Sequence, residues 1–156
     1  MKKLVVLIVF LILVGCSSGI SSVDEGVDEV FSSGNPEGSV IVNEEAYLME
    51  PGGYRWERKT LSGTEVVTTD AASPNQIAPS LERIQVAKGD TVSFQFDKEE
   101  ANLTVYLWSE TERLNEVELT DNTFHIPDET GYYIYEVVAQ WRNGEVSYTF
   151  TCEVKD

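Results

Sequence analysis

A single histidine limits the acid–base chemistry that this 156-residue chain could perform. His125 lies between Phe124 and Ile126, just before Pro127, in a short segment that predicts a β-strand. A hydrolase or a zinc site would have to be built around this one imidazole. The sequence has no nucleophile elbow, no phosphate-binding glycine loop and no paired metal-ligand spacing. We expect a structural or surface role for His125, and a hydrolase centred on it is the least favoured alternative.

Carboxylates are abundant, but their spacing does not indicate catalysis. The chain has 27 acidic and 11 basic residues, which gives a formal net charge of −16. Asp97, Glu99 and Glu100 fall in one acidic segment, where mutual repulsion in water is the simpler interpretation. No D-x-[DN]-x-[DN]-G calcium loop occurs. We expect no enzymatic activity, no metal and no cofactor, and the negative charge disfavours nucleic acid as a partner.

The N-terminal segment predicts export from the cytoplasm. Lys2 and Lys3 form a short positive region, and Leu4–Val14 is an unbroken apolar run that ends just before Gly15 and Cys16. At about 1.5 Å per residue these 11 residues make a helix of about 16 Å, roughly half of the hydrocarbon thickness of a membrane. The run therefore indicates a secretory signal rather than a stable membrane span.

The tetrapeptide LVGC at 13–16 resembles the lipobox of bacterial lipoproteins. This resemblance implies that the Cys16 thiol receives a diacylglyceryl group and that Cys16 becomes the mature N-terminus. Two acyl chains hold a protein firmly on a membrane, since each buried CH₂ contributes about 0.8 kcal/mol. We therefore expect a lipid anchor on the extracytoplasmic side of the cell membrane. An ordinary signal peptide with an incidental Cys16 is the alternative.

The rest of the chain divides into a tether and one domain. Residues 1–15 are the predicted signal peptide, residues 16–39 an acidic Ser/Gly-rich, disordered tether, and residues 40–156 a β-sandwich domain. Loss of Lys2 and Lys3 leaves 9 basic and 27 acidic residues, a charge of −18. With Cys16 acylated, Cys152 has no disulfide partner, and its place on an apolar strand face predicts a buried, unreactive thiol.

The stretch Gly131–Val154 predicts a long β-hairpin at the centre of this domain. Its Asn143-Gly144 dipeptide favours a two-residue type I′ turn, in which both central residues have positive φ. A second turn is predicted at Asp121-Asn122. A turn at these two residues would pair Arg142 with Glu145. The pairs beyond it then share one apolar face. They are Trp141 with Val146, Ala139 with Tyr148, Val137 with Phe150 and Tyr135 with Cys152.

Many short strands, separated by turn signals about every ten residues, predict an all-β antiparallel sandwich. The segment Asp128-x-x-Gly131-x-Tyr133-x-Tyr135 resembles the tyrosine-corner region of immunoglobulin-like domains. Tyr135 stands where antibody domains carry their second cysteine. The resemblance therefore implies an immunoglobulin-like sandwich without the cross-sheet disulfide.

Several motifs together resemble a group of small uncharacterised lipoproteins of Bacillus-like Firmicutes. They are the lipobox, PGGYRW at 51–56, GYYIYE at 131–136, and the pattern G-x-Y-x-Y-x-V-x-A-x-W that ends at Trp141. The pattern is also similar to C-terminal domains of some membrane-bound regulatory proteins of those bacteria. The resemblance covers about the last two-thirds of the chain and implies a location and a fold, but it implies no active site.

Recognition is the function that the sequence favours. Strand alternation leaves Tyr106, Trp108 and Tyr132 outside the predicted core, and aromatic side chains are favoured contact groups. The alternative is that these rings pack against the loop at 70–82. We expect a non-enzymatic binding or accessory module whose ligand is an unknown protein or cell-wall component. An extracytoplasmic proteinase inhibitor, with an exposed loop that enters a protease cleft, is the second hypothesis.

Overall fold

The computed structural model describes residues 34–98 and 101–155. The predicted signal peptide, Cys16 and most of the predicted tether lie outside the described residues. Residues 74–80 form the one-turn helix α1 (Pro74–Ile77) and a 3₁₀ turn (Ala78–Ser80). The strands are β1 (Gly38–Val42), β2 (Glu45–Leu48), β3 (Glu50–Thr60), β4 (Gly63–Thr69), β5 (Arg83–Ala87), β6 (Thr91–Phe96), β7 (Asn102–Trp108), β8 (Arg113–Val117), β9 (Thr123–His125), β10 (Gly131–Trp141) and β11 (Gly144–Lys155).

The strands form two sheets. The smaller has the order β2-β1-β6-β9 and the larger the order β4-β3-β11-β10-β7-β8. β10 covers one edge of β11, while β3 and then β5 share the other edge, and β5 runs parallel to β11. The predicted all-β architecture with two largely antiparallel sheets is confirmed. Within the described ranges, no helix is long and apolar enough to cross a membrane.

Aromatic and β-branched side chains from both sheets meet in one core. The ring of Tyr135 lies 5.0 Å from that of Phe150 in its own sheet and 5.1 Å from that of Phe124 in the other, measured between centroids. At one end of the core, the centroids of Trp56 and Trp141 are 5.5 Å apart. Rings at these distances combine a large buried area with a favourable electrostatic arrangement, so they join the two sheets.

The central hairpin forms, but its predicted register is wrong by two residues. The observed pairs are Trp141 with Gly144, Ala139 with Val146, Val137 with Tyr148 and Tyr135 with Phe150. A shift of two residues leaves every side chain on its predicted face, so the apolar face is as expected. Gly144 does not have positive φ. A Cβ atom at Gly144 would instead overlap the Arg55 carbonyl and the Trp56 ring, so this glycine serves close packing.

Two-residue turns with positive φ occur at other places. Asn43 and Glu44, with φ of 52° and 67°, connect β1 to β2. Asp121 and Asn122 have φ of 51° and 58° and are flanked by a bridge that joins residues 120 and 123. Positive φ at both central residues is what a type I′ turn requires. The predicted turn at Asp121-Asn122 is therefore confirmed.

Side-chain hydrogen bonds fix the segment just before β10 and the first described residues. The Tyr133 hydroxyl donates to the Glu129 carbonyl oxygen, four residues upstream, at 3.0 Å. The Tyr148 hydroxyl donates to the Pro36 carbonyl oxygen at 2.6 Å. The Trp56 indole N–H donates to Asn35 at 3.0 Å. The last two bonds hold the chain just before β1, which was expected to lie in the tether, against the folded core.

Candidate functional site

The outer face of the larger sheet, which points away from the smaller sheet, carries the three aromatic residues predicted to bind a partner. Tyr135 and Val137 of β10 point into the core, so Glu136 between them points outward. The strand register places Glu136 beside Tyr106 of β7. Glu136 is nevertheless only 5% exposed, because neighbouring side chains cover it.

The Glu136 carboxylate accepts three hydrogen bonds. Oε2 accepts one from the Trp108 indole N–H at 2.8 Å and one from the Arg113 guanidinium at 2.6 Å. Oε1 accepts one from the Ser147 hydroxyl at 2.8 Å. A buried carboxylate needs such donors because it has left water. The network therefore fixes the orientation of Trp108 and Arg113 relative to the sheet.

A β-bulge brings Arg113 into this network. Leu107 pairs with Asn115, but Trp108 pairs with Arg113, so β8 has one extra residue, Leu114, at this point. A bulge redirects the side chains that follow it, and here it places Arg113 opposite Trp108. The guanidinium carbon lies 4.0 Å from the Tyr106 ring centroid and 5.6 Å from that of Trp108.

We call Tyr106, Trp108 and Arg113 the recognition surface. The two rings are half-buried, and the Arg113 side chain is 44% exposed although it also pairs with Glu136. The cation over the rings adds an attraction of about 0.5–1 kcal/mol at such partly exposed positions. The surface thus combines aromatic area, a cation and a fixed geometry.

Tyr132 lies in a different environment. Its ring is covered by the Arg83 guanidinium at 4.5 Å from the centroid, and its hydroxyl donates to the Ala78 carbonyl oxygen at 3.4 Å. Pro74 and Ala78 are buried, and α1 contacts both β10 and β11. The segment at 70–82 therefore packs on this part of the face, as the alternative interpretation of the aromatic residues expected. The structure brings Tyr106 and Trp108 together and leaves Tyr132 beside this segment.

The residues with potential for catalysis are not combined into a reactive site. His125 is exposed, and its Nδ1 lies 3.3 Å from the Thr91 hydroxyl. Cys152 is buried, and burial raises the pKa of its thiol to about 12. Such a thiol is a weak nucleophile at neutral pH. Among the described residues, no group of three or more His, Cys, Asp or Glu side chains is placed to hold a metal ion.

The sequence interpretation missed Arg113, Glu136 and Ser147. One signal was available for Glu136, which is the only charged residue between Gly131 and Trp141. A carboxylate in such a strand needs a donor to remain buried. Its partners were not identifiable because they come from three other strands.

Comparison with known proteins adds no assignment. No protein-family model, no curated protein and no solved structure matches this chain.

Proposed function

We propose that this chain is a lipid-anchored extracytoplasmic binding or accessory protein without enzymatic activity. Its recognition surface would contact a protein or a cell-wall ligand. The observation that carries the proposal is the Glu136 network, which orients Trp108 and Arg113 while 44% of the Arg113 side chain stays exposed. Tyr, Trp and Arg are the residue types that contribute most binding energy at interfaces. A surface that is already oriented loses less conformational entropy when it binds.

The immunoglobulin-like assignment belongs to the same proposal. Two observations support it. The strands form two sheets, and the hydrogen bond from the Tyr133 hydroxyl to the Glu129 carbonyl oxygen has the geometry of a tyrosine corner. The parallel strand β5 is an addition to the simple antiparallel pattern. Domains of this architecture serve many functions, so the proposal of recognition depends on the surface and not on the fold.

The anchor is tested by replacing the predicted lipidation site. In a Cys16→Ala chain we expect loss of lipid labelling and no removal of the signal peptide. A Ser17→Ala chain should behave like the wild type because it keeps the thiol. If the Cys16→Ala precursor is still processed and stays membrane-bound, the lipobox interpretation is wrong.

Recognition is tested by chemical cross-linking on intact cells that carry the anchored protein. We expect Arg113→Ala to lower the yield of the main cross-linked adduct at least fivefold. Arg58→Ala is a matched control, because Arg58 also forms an ion pair, with Glu65, at the opposite edge of the same sheet. Equal yields from the wild type and the Arg113→Ala variant would exclude this surface as the contact site.

One observation favours the proteinase-inhibitor alternative. Trp56 pairs with Gly144 at the start of β11, so the rest of β3 and the start of β4 extend past the β10–β11 turn. Leu61, at the tip of this extension, is fully exposed. A protruding loop with an apolar side chain has a shape that a protease cleft can accept. No inhibition of a panel of secreted proteases by micromolar protein would exclude this function, whereas inhibition that Leu61→Gly removes would support it.

A further inference from the structure

A cleft opens between the two sheets where β3 and β5 meet the edge of β11. Thr149 pairs with β3 and Thr151 pairs with β5, so Phe150 between them pairs with neither of these strands. The cavity at this gap has a volume of about 390 Å³. Its lining residues include Tyr47 and Leu48 of β2, Glu82 and Ile84 at the start of β5, and Phe150 and Thr151 of β11.

One wall of this cleft is β2, the last strand of the smaller sheet in the described part of the chain. The Met49 N–H donates to the Gly38 carbonyl oxygen, and hydrogen-bonded pairs alternate along an antiparallel ladder. The backbone groups of Ala46 and Leu48 therefore point away from β1, toward the open edge. Leu48 is also 74% exposed. The edge thus offers both backbone hydrogen-bonding groups and an apolar side chain.

Carboxylates lie at or beside the same cleft, one in its lining and two on the adjoining strands β2 and β3. Glu45, Glu50 and Glu82 are exposed, and no lysine or arginine in the described ranges forms an ion pair with any of them. The Tyr47 hydroxyl donates to Glu45 at 2.7 Å. That hydrogen bond raises the pKa of Tyr47, and desolvation and the negative charges of Glu45 and Glu82 add to the increase. Glu45 on one wall and Glu82 on the other therefore both raise the pKa of the same side chain, Tyr47.

We infer that the edge of β2 and the adjoining cavity bind an extended, basic segment of a partner polypeptide. The segment would add a strand beside β2, with lysine or arginine side chains reaching into the cavity toward Glu45 and Glu82, and with apolar side chains on the other face, beside Leu48. A neutral strand would cover Glu45 and Glu82 without giving them a partner, which costs free energy. A charged residue at a short edge strand also prevents indiscriminate strand pairing. This cleft is separate from the recognition surface, and the inference does not depend on it.

The test uses the purified full chain and a fluorescein-labelled, N-acetylated heptapeptide of alternating lysine and leucine. Fluorescence anisotropy should show saturable binding of this peptide and none of its glutamate–leucine counterpart. Neutralising both wall carboxylates, with Glu45→Gln and Glu82→Gln together, should weaken binding about tenfold, since two exposed charge pairs are lost at once. Leu48→Ser should weaken it further, and because Leu48 is exposed this variant should still fold.

Strand β8, at the edge of the larger sheet, supplies the matched control. Leu114 and Glu116 are both exposed there, and Leu114→Ser with Glu116→Gln should change binding less than twofold. Two further probes carry N-methyl groups on either the lysine or the leucine amides. Only one of them should lose binding, because alternate amides of an added strand face β2. Binding that depends equally on the β2 and β8 residues, or that is the same for both methylated probes, would overturn the inference.

Discussion

Replacing Glu136 by glutamine tests the network that orients the recognition surface. The carboxylate accepts hydrogen bonds from Trp108, Arg113 and Ser147, and its side chain is 7% exposed. A glutamine oxygen can still accept from Trp108 and Arg113, and its NH₂ group can donate to the Ser147 hydroxyl, so the change removes the negative charge that strengthens these bonds. A hydrogen bond to a charged group contributes about 1.5–3 kcal/mol, against about 0.5–1.5 kcal/mol for a neutral one. Because Arg113 is 44% exposed, water can solvate it after the change, which limits the loss.

We therefore expect Glu136→Gln to lower the free energy of unfolding by about 2–3 kcal/mol and the melting temperature by roughly 8–12 °C. The assay is urea and thermal unfolding followed by tryptophan fluorescence, which also reports the Trp108 environment. Glu153→Gln is the control, because Glu153, on β11, lies on the same face of the sheet as Glu136 but is partly exposed and accepts a single bond, from Gln85 at 3.3 Å. A Glu136→Gln protein within 0.5 kcal/mol of the wild type would refute the role given to the network.

Three further predictions concern the core. Gly144→Ala should destabilise the protein by about 1–3 kcal/mol because its Cβ overlaps β3, whereas Gly53→Ala, with ordinary contacts, should be nearly neutral in urea unfolding; equal effects would contradict this packing. Thr149→Val should raise the melting temperature by about 4 °C, since the buried hydroxyl has no partner among the described residues, and a lower value would contradict the inference. The pKa of Cys152 is raised to about 12, so the unfolded thiol ionises first as the pH rises above about 9. The free energy of unfolding should then fall by about 1–2 kcal/mol between pH 8 and 10.5, and Cys152→Ala should reduce this slope; an unchanged slope would contradict it.

Alternation along the chain was enough to predict the apolar face of β10 and β11. It succeeded because the period of a strand is local and the face survives a register shift of two residues. The register itself was not predictable from the hairpin alone. A glycine is required at position 144 because any side chain there would overlap Trp56, which lies 88 positions earlier in the chain (144 − 56) and on another strand. A glycine that serves packing looks the same in the sequence as one that serves a turn.

The recognition surface was predicted in part. Alternation placed Tyr106 and Trp108 on the outer face of β7, but it could not show that Arg113 covers them. That contact depends on the bulge at Leu114 and on Glu136, which joins β7, β8 and β11. Such a network is a property of four strands assembled together.

A photoreactive amino acid beside the recognition surface tests the central claim most directly. Leu114 is 54% exposed next to Arg113, so a probe there leaves the Glu136 network intact. A matched probe replaces Val66, which is 47% exposed on β4 at the other edge of the sheet. On intact cells we predict a discrete adduct from position 114 that Arg113→Ala removes, and no such adduct from position 66. An adduct from position 66 alone, or one from position 114 that persists in Arg113→Ala, would contradict the proposed function.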